Sequence, residues 1–399
     1  MTTAAIRCTV RGVTLPNSTK SDMKLSDLPT PALILDRAVL TRNLAAMSAR
    51  ARAAGVVLRP HLKTAKSARI AALATADQPG GITVSTLAEA RYFAAHGFRD
   101  MTYAVGLTPD KLAEAAALGR QGARLNLLTD DASVAQTVSL QTKEFYDDLN
   151  VLIEIDCGAH RGGVPPQSPA LLEIAGILDA APKLTLGGVL THAGHAYHCD
   201  SVARIKAVAE EERRAVVTAA ERLRAAGLPC PVVSAGSTPT AIHAESFAGL
   251  TEIRPGVYMV FDLDQLGLGS CTVDDIALSV LASVIGQQRA HGRVNIDAGS
   301  LALSQDLSAG AFLPDTGYGW VMAADGRTRL GDLHVAAVNQ EHGMIAGVAA
   351  PPPFDALPVG ARVRILPNHA CITAAAYDRY HVVDGGDEIV DIWDRVNGW

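Results

Sequence analysis

The sequence predicts an α/β protein: a parallel (β/α)8 barrel followed by a C-terminal β domain. Two changes of texture carry the prediction. From Val56 onward, short β-branched runs alternate with alanine-rich segments of helical period, and after about Gly267 strand-like runs follow one another without long helices between them. Eight strand and helix units in about 200 residues suit a closed barrel, with an open doubly wound sheet as the competing arrangement. The expected domains are an N-terminal segment over 1–29 packed on the β domain, the barrel over 30–267 and the β domain over 268–399.

The barrel strands are read in "VVLRP", "GITVST", "MTYAV", "ARLNLL", "NVLIEID", "LGGVLTH", "PVVSAGS" and "TEIRPG". Between them, stretches such as "LAEARYFAAHG", "PDKLAEAAALG" and "SVARIKAVAEEERRAVVTAAERLRAAG" place apolar residues near i, i+3, i+4 and i+7 and end on glycine, the pattern of helices that bury one face. The β domain reads as "IALSVLASVIG", "RVNIDAG", "LHVAAVNQEHGMI", "ARVRILPNHACIT", "YHVVDG" and "EIVDIWDRV", separated by Gly, Pro and Asp turns. The proline run in "MIAGVAAPPPFDALPVGARVRI" cannot lie in a central strand and is expected as an exposed loop.

Composition narrows the function. Of 399 residues, 48 % are hydrophobic and 19 % charged, which suits a compact chain and not a disordered one. The net charge of −6, with basic residues scattered, gives no footprint for nucleic acid or an anionic membrane. No run reaches the roughly 18 apolar residues of a membrane span, and the first residues lack the apolar core of a secretory signal, so a cytoplasmic location is expected. Six cysteines lie far apart with no CxxC pair, so neither a disulfide framework nor a zinc ribbon is indicated; most are expected as small core residues. The partner left is a small molecule.

In a barrel of this kind the loops at the carboxyl ends of the strands converge on one mouth. Lys63 ends the first strand, after Pro60 and His61. Asp156, His160 and Arg161 follow the fifth, His192, His195 and Tyr197 the sixth, Ser237 and Thr238 the seventh, and Tyr258 the eighth. In "SAGSTPT" the strand ends on Gly236, and Ser237, Thr238 and Thr240 open a helix whose unpaired N–H groups suit a phosphate. Serine and threonine are equally ordinary N-caps there. A lysine nucleophile beside a phosphate site points to pyridoxal phosphate, with Lys63 as its imine partner.

The motifs "TPALILDRAVLTRN", "RPHLKT", "ITVSTLAEARYFAAHGFRDMTYA", "SAGSTPT", "EIRPGVYMVFD" and "PNHAC" resemble the D-serine dehydratase and D-threonine aldolase family of pyridoxal phosphate enzymes, whose barrel is shared with alanine racemase. The resemblance runs from about Thr30 to the carboxyl end. It implies an alanine-racemase-like barrel with a β domain, a D-amino acid substrate and a homodimer. It makes Lys63 the imine-forming lysine, sets Arg161 of "GAHRGG" near the cofactor's phenolic oxygen, puts Gly236 and Ser237 in the phosphate cradle and places Tyr258 beside the cofactor. The sequence departs from the family's common "KTHK" at Ala65, which leaves a histidine partner missing.

His369 and Cys371 stand two apart on what reads as an extended segment, where a strand's period of two would project both to one face. Imidazole and thiolate suit zinc, with room for water or substrate; a buried cysteine on a core strand is the competing reading of the residues alone. The resemblance decides for a divalent metal, zinc foremost, with manganese or magnesium as alternatives. A metal at a β-hydroxyl implies dehydration to a keto acid and ammonia. His195 resembles the aldolase histidine that acts on the β-hydroxyl, so retro-aldol cleavage to glycine and an aldehyde is the alternative. A pyridoxal phosphate carrier and an amino-acid racemase are weaker fits, because neither gives the C-terminal metal pair a purpose.

Overall fold

The computed structural model describes residues 23–145 and 149–399. It divides into two compact units, one of residues 47–256 and 396–399, the other of the described residues up to 46 together with 257–395. The chain's first strand, β1 (Ala32–Asp36), pairs antiparallel with Leu278–Leu281 and parallel with His381–Val383. It therefore belongs to the second unit, whereas the expected barrel began at Thr30. Its sequence ALILD is buried throughout and would serve a barrel strand equally well; only its pairing partners decide. The dividing point falls inside helix α1 (Arg37–Ala53).

The first unit is the predicted barrel. Its strands are β2 (Val57–Leu58), β3 (Ile82–Val84), β4 (Asp100–Gly106), β5 (Arg124–Thr129), β6 (Leu149–Ile155), β7 (Leu184–Thr191), β8 (Val232–Ala235) and β9 (Glu252–Ile253). They form an eight-stranded parallel sheet in the order β2-β9-β8-β7-β6-β5-β4-β3. Its two edges meet through a parallel bridge from His61 to Thr83, in which Leu62 N–H donates to the Thr83 carbonyl at 2.8 Å and Thr83 N–H to that of Pro60 at 2.9 Å. Every strand run expected from the sequence is present, and the closure excludes the open doubly wound sheet.

The helices between them are α2 (Ala68–Thr75), α3 (Leu87–Ala95), α4 (Leu112–Arg120), α5 (Ala132–Phe145), α6 (Pro169–Ala180), α7 (Val202–Ala225) and α8 (Thr238–His243). Their starts are written in the sequence. Thr86, Ser168, Ser201 and Ser237 cap α3, α6, α7 and α8, each accepting a first-turn N–H that the helix leaves unpaired.

Inside the barrel the packing is partly polar. Asn150 donates to Asn126 at 2.7 Å and Asn126 to Thr102 at 3.0 Å, a row across three neighbouring strands. Buried Arg59 pairs with Glu252 at 2.7 Å and Asp100 at 2.9 Å, so no charge is left alone. Close strand approach also constrains β7, where Gly188 takes φ +125°, a conformation open to glycine, and a methyl there would run into the Val232 carbonyl. Gly188→Ala is expected to cost about 2 kcal/mol or more and to lower the melting temperature measured by circular dichroism.

The second unit is antiparallel. Its further strands are β10 (Leu278–Gln288), β11 (Arg293–Ile296), β12 (Trp320–Ala323), β13 (Arg329–Val338), β14 (Gly343–Ala346), β15 (Arg362–Leu366), β16 (Arg379–Val383) and β17 (Asp391–Asp394). The order is β11-β14-β13-β12-β15-β10-β1-β16-β17, with β10 also pairing β11. One long strand makes both contacts because its register shifts between Val284 and Gly286, a bulge that turns its second half away from β15 and onto β11. "LHVAAVNQEHGMI" proves to be the hairpin of β13 and β14, and β12 adds a strand the sequence reading lacked. The proline run lies between β14 and β15, outside any strand. Leu25 and Leu28 join Ala32, Ile34, Leu281, Val383 and Ile389 in one buried cluster, so the described end of the N-terminal segment packs on this unit; residues 1–22, with Cys8, lie outside the described residues.

Among the described residues no helix is long and apolar enough to cross a membrane. Cys157, Cys199 and Cys230 are buried, whereas Cys271 and Cys371 are partly exposed.

Candidate active site

A cleft of about 250 Å³ opens at the carboxyl ends of the barrel strands, walled by His61, Lys63, Arg161, His192, Gly236 and Arg254 among others. Four residues expected at one mouth, Lys63, Arg161, His192 and Gly236, are thus brought together. Lys63 is exposed, and its backbone N–H lies 3.4 Å from His61 Nδ1. Three residues on, Lys66 takes a left-handed turn with φ +46° and pairs its ammonium with buried Glu89 at 3.2 Å. Glu89 in turn accepts Ser85 N–H at 2.8 Å, which ties Lys66 to the start of α3. Ala65, at the departure from the family pattern, is completely buried.

The cleft is electrostatically graded. Burial first, and then the Lys63 ammonium, push the His61 and His192 imidazoles well below their ordinary range, so both rings are neutral at pH 7. Arg254, 4 % exposed, donates to the Thr191 carbonyl at 2.6 Å and to the Ser234 hydroxyl; burial lowers it to about 10 against the pull of Glu252, Glu212 and Glu154, and it stays charged. The sequence reading passed over this arginine. Its signal was present: in "EIRPG" Arg254 stands two after Glu252, one step beyond the strand, where the alternation that buries Glu252 continues. Glu154, also on the cleft wall, lies 3.7 Å from Arg161, and desolvation raises its carboxyl. The turn carrying Arg161 is held by Asp156, which accepts Gly158 and His160 N–H, and by Asp130, which accepts Gly163 N–H at 2.6 Å.

Other expected residues are placed away from the cleft wall. His195 sits on a single turn, Gly194–His198, with Nε2 3.8 Å from Glu211 on α7. Tyr197 on the same turn has its ring 6.5 Å from that of His192. Ser237 and Thr238 are buried behind Gly236 (φ +105°), and the Ser237 N–H and hydroxyl are both engaged with Thr240. Glu212, buried on α7, accepts Ala193 N–H at 2.7 Å, fixing the loop between His192 and His195. Tyr258 belongs to the second unit, where it is fully buried.

The second unit also holds His369 and Cys371, and here the structure corrects an expectation. The segment is not extended. After β15 the chain turns a corner, His369 stands just before a short helix, α11 (Ala370–Ala375), and Cys371 lies in its first turn. The two side chains still meet, with a hydrogen bond between them. The corner is clamped from two sides. Asp262, which caps the helix α9 (Leu263–Gly267), accepts Ala370 N–H at 2.8 Å, and Asp306 accepts His369 Nδ1–H at 2.8 Å. Burial works against a charged His369, yet Asp306 and then Cys371 outweigh it and hold the imidazole up at about 11. With Nδ1 committed to Asp306, Nε2 is left beside the thiol, a nitrogen and sulfur pair that fits a divalent metal with its remaining positions open to water or substrate.

The description "Alanine racemase, N-terminal domain" matches residues 35–264, and a serine dehydratase domain matches 277–383. The chain belongs to the D-serine dehydratase and D-threonine aldolase family with the alanine-racemase barrel. As a member of this family it is a lyase. Its similarity to the D-threo-3-hydroxyaspartate dehydratase of Delftia sp. (strain HT23) is 46 % identity, covering 94 % of this chain and 99 % of that one. The D-threonine aldolase of Arthrobacter sp. is 29 % identical, over 96 % and 97 % of the two chains. Among solved structures, a cysteine-to-alanine mutant of D-threo-3-hydroxyaspartate dehydratase in the metal-free form superposes with a TM-score of 0.91 at 44 % identity, covering 94 % of this chain and all of that one (100 %).

Proposed function

We propose that this lyase catalyses β-elimination from a D-β-hydroxy amino acid, with D-threo-3-hydroxyaspartate as the first substrate to test and D-serine as the second. The observation that carries the reading is the clamped corner at His369 and Cys371, whose donors would hold a metal able to polarise a β-hydroxyl. The higher identity to a dehydratase than to an aldolase supports the same outcome, and the metal-free mutant of that dehydratase supports a metal in this one. Zinc is the metal we expect on the imidazole and thiolate pair, with manganese and magnesium to be tested beside it. His195, the residue aldol cleavage would use, has Nε2 3.8 Å from Glu211 on α7, and aldol cleavage is the outcome that product analysis must exclude.

Pyridoxal phosphate, when bound, supplies an electron sink for the pair released at the α-carbon. Lys63, exposed at the cleft, would hold it through Nζ, and the same amine, when free, would be the base for the α-proton. Arg161, steadied by Glu154, keeps the cofactor's phenolic oxygen anionic. His192 and, next to it, Tyr197 would border the cofactor, and the loop at Gly236, Ser237 and Thr238 would hold its phosphate. Tyr258 is assigned to the cofactor by the family resemblance alone. A homodimer in the cytoplasm completes the proposal.

Product analysis decides it. With D-threo-3-hydroxyaspartate we expect oxaloacetate and ammonia in equal amounts, with D-serine pyruvate and ammonia, and no turnover of the L-enantiomers. Glycine with an aldehyde or glyoxylate would replace elimination by aldol cleavage, and equal rates on both enantiomers would replace the lyase by a racemase-like activity.

A further inference from the structure

We infer that Asp306 is a positioning residue for the metal, fixing His369 so that Nε2 alone faces the ion; the inference rests on the proposed metal role of His369 and Cys371. Asp306 stands 63 positions before His369, on the chain that follows the short helix α10 (Ser300–Leu303), and its carboxylate is used at both oxygens. Oδ1 accepts Ser308 N–H at 2.7 Å, which closes the local turn and fixes the carboxylate plane. Oδ2 accepts His369 Nδ1–H at 2.8 Å. The Asp306 carbonyl in turn accepts the Asn368 side-chain amide at 2.8 Å, and the same amide donates to the Gly317 carbonyl at 2.7 Å. The residue next to His369 thus holds Asp306, and Asp306 holds His369.

A turn-forming aspartate needs only the Ser308 contact. The second oxygen, turned to the imidazole on a side chain only 17 % exposed, does something the turn does not require. It selects the tautomer with hydrogen on Nδ1, prevents the ring from flipping and increases the electron density at Nε2. For a site offering only two protein donors, orientation of one of them weighs heavily. Partners of this kind typically change metal affinity by about 10–100-fold when removed. Asp262 acts on the same corner from the other side, through the amide between the two donors, so the backbone is held independently of Asp306.

The test is metal affinity, read by competition with a chromophoric chelator for zinc and for manganese, on full-length protein carrying its cofactor. Asp306→Asn keeps the shape and removes the charge, Asp306→Ala removes both, and Asp306→Glu restores the carboxylate. Circular dichroism melts confirm folding of each. We expect weaker binding by about tenfold in Asp306→Asn and up to about 100-fold in Asp306→Ala, partial recovery in Asp306→Glu, and an unchanged cofactor absorbance in all three. If His369→Ala loses the metal while Asp306→Asn and Asp306→Ala bind it within twofold of the unsubstituted protein, the inference is overturned alone. If His369→Ala also binds normally, the metal role of the pair falls and the inference with it.

Discussion

Lys63→Ala is expected to lose at least about 10⁴-fold in turnover, and with it the visible absorbance of the bound cofactor. Two lysines stand within one motif, but Lys63 is exposed and lines the cleft, while Lys66 is held by Glu89 at 3.2 Å. Removing Lys66 strands a buried carboxylate and should cost on the order of 3 kcal/mol of stability while leaving the absorbance band in place. Difference spectra after adding pyridoxal phosphate to each variant, with melting curves, separate the two. A band that survives in Lys63→Ala and disappears in Lys66→Ala would move the imine assignment by one motif position.

That distinction was only half legible in the sequence. Lys63 stood out because a β-branched run ends just before it, and the period-two pattern of such runs locates strand ends well. The same rule located Arg161, His192 and Gly236, all on the cleft wall. It failed where neighbours in space decide. β1 has the composition of a barrel strand but pairs in the β domain, because a wholly buried run carries no mark of which sheet it joins. The spacing of two between His369 and Cys371 suggests a strand, whereas the residue before a helix and its first turn bring the two side chains together. Asp306 and Glu212 were invisible for a simpler reason. Each acts on a residue far along the chain, His369 and Ala193, and nothing local distinguishes it from a surface carboxylate. Arg254 was legible, had the inward alternation of β9 been followed one step beyond the strand.

Removal of the metal is expected to stop elimination while the cofactor's absorbance stays almost unchanged, since the Lys63 linkage needs no metal. Cys371→Ser should act in the same direction, replacing a soft thiolate by a poor ligand and lowering occupancy. The sign of the pH dependence follows from His369. In the metal-free protein Asp306 and Cys371 keep the imidazole protonated up to about 11, so binding at Nε2 must expel a proton, and affinity should rise with pH between 6 and 9. A cysteine that only packs predicts something different: a modest loss of stability, full activity after chelation and no pH trend in metal uptake. Chelation followed by metal readdition, with metal content and keto-acid formation measured at each step, distinguishes them. Activity that persists with the metal gone would take the leaving-group role away from His369 and Cys371, and with it the main reason for a β-hydroxy amino acid as substrate.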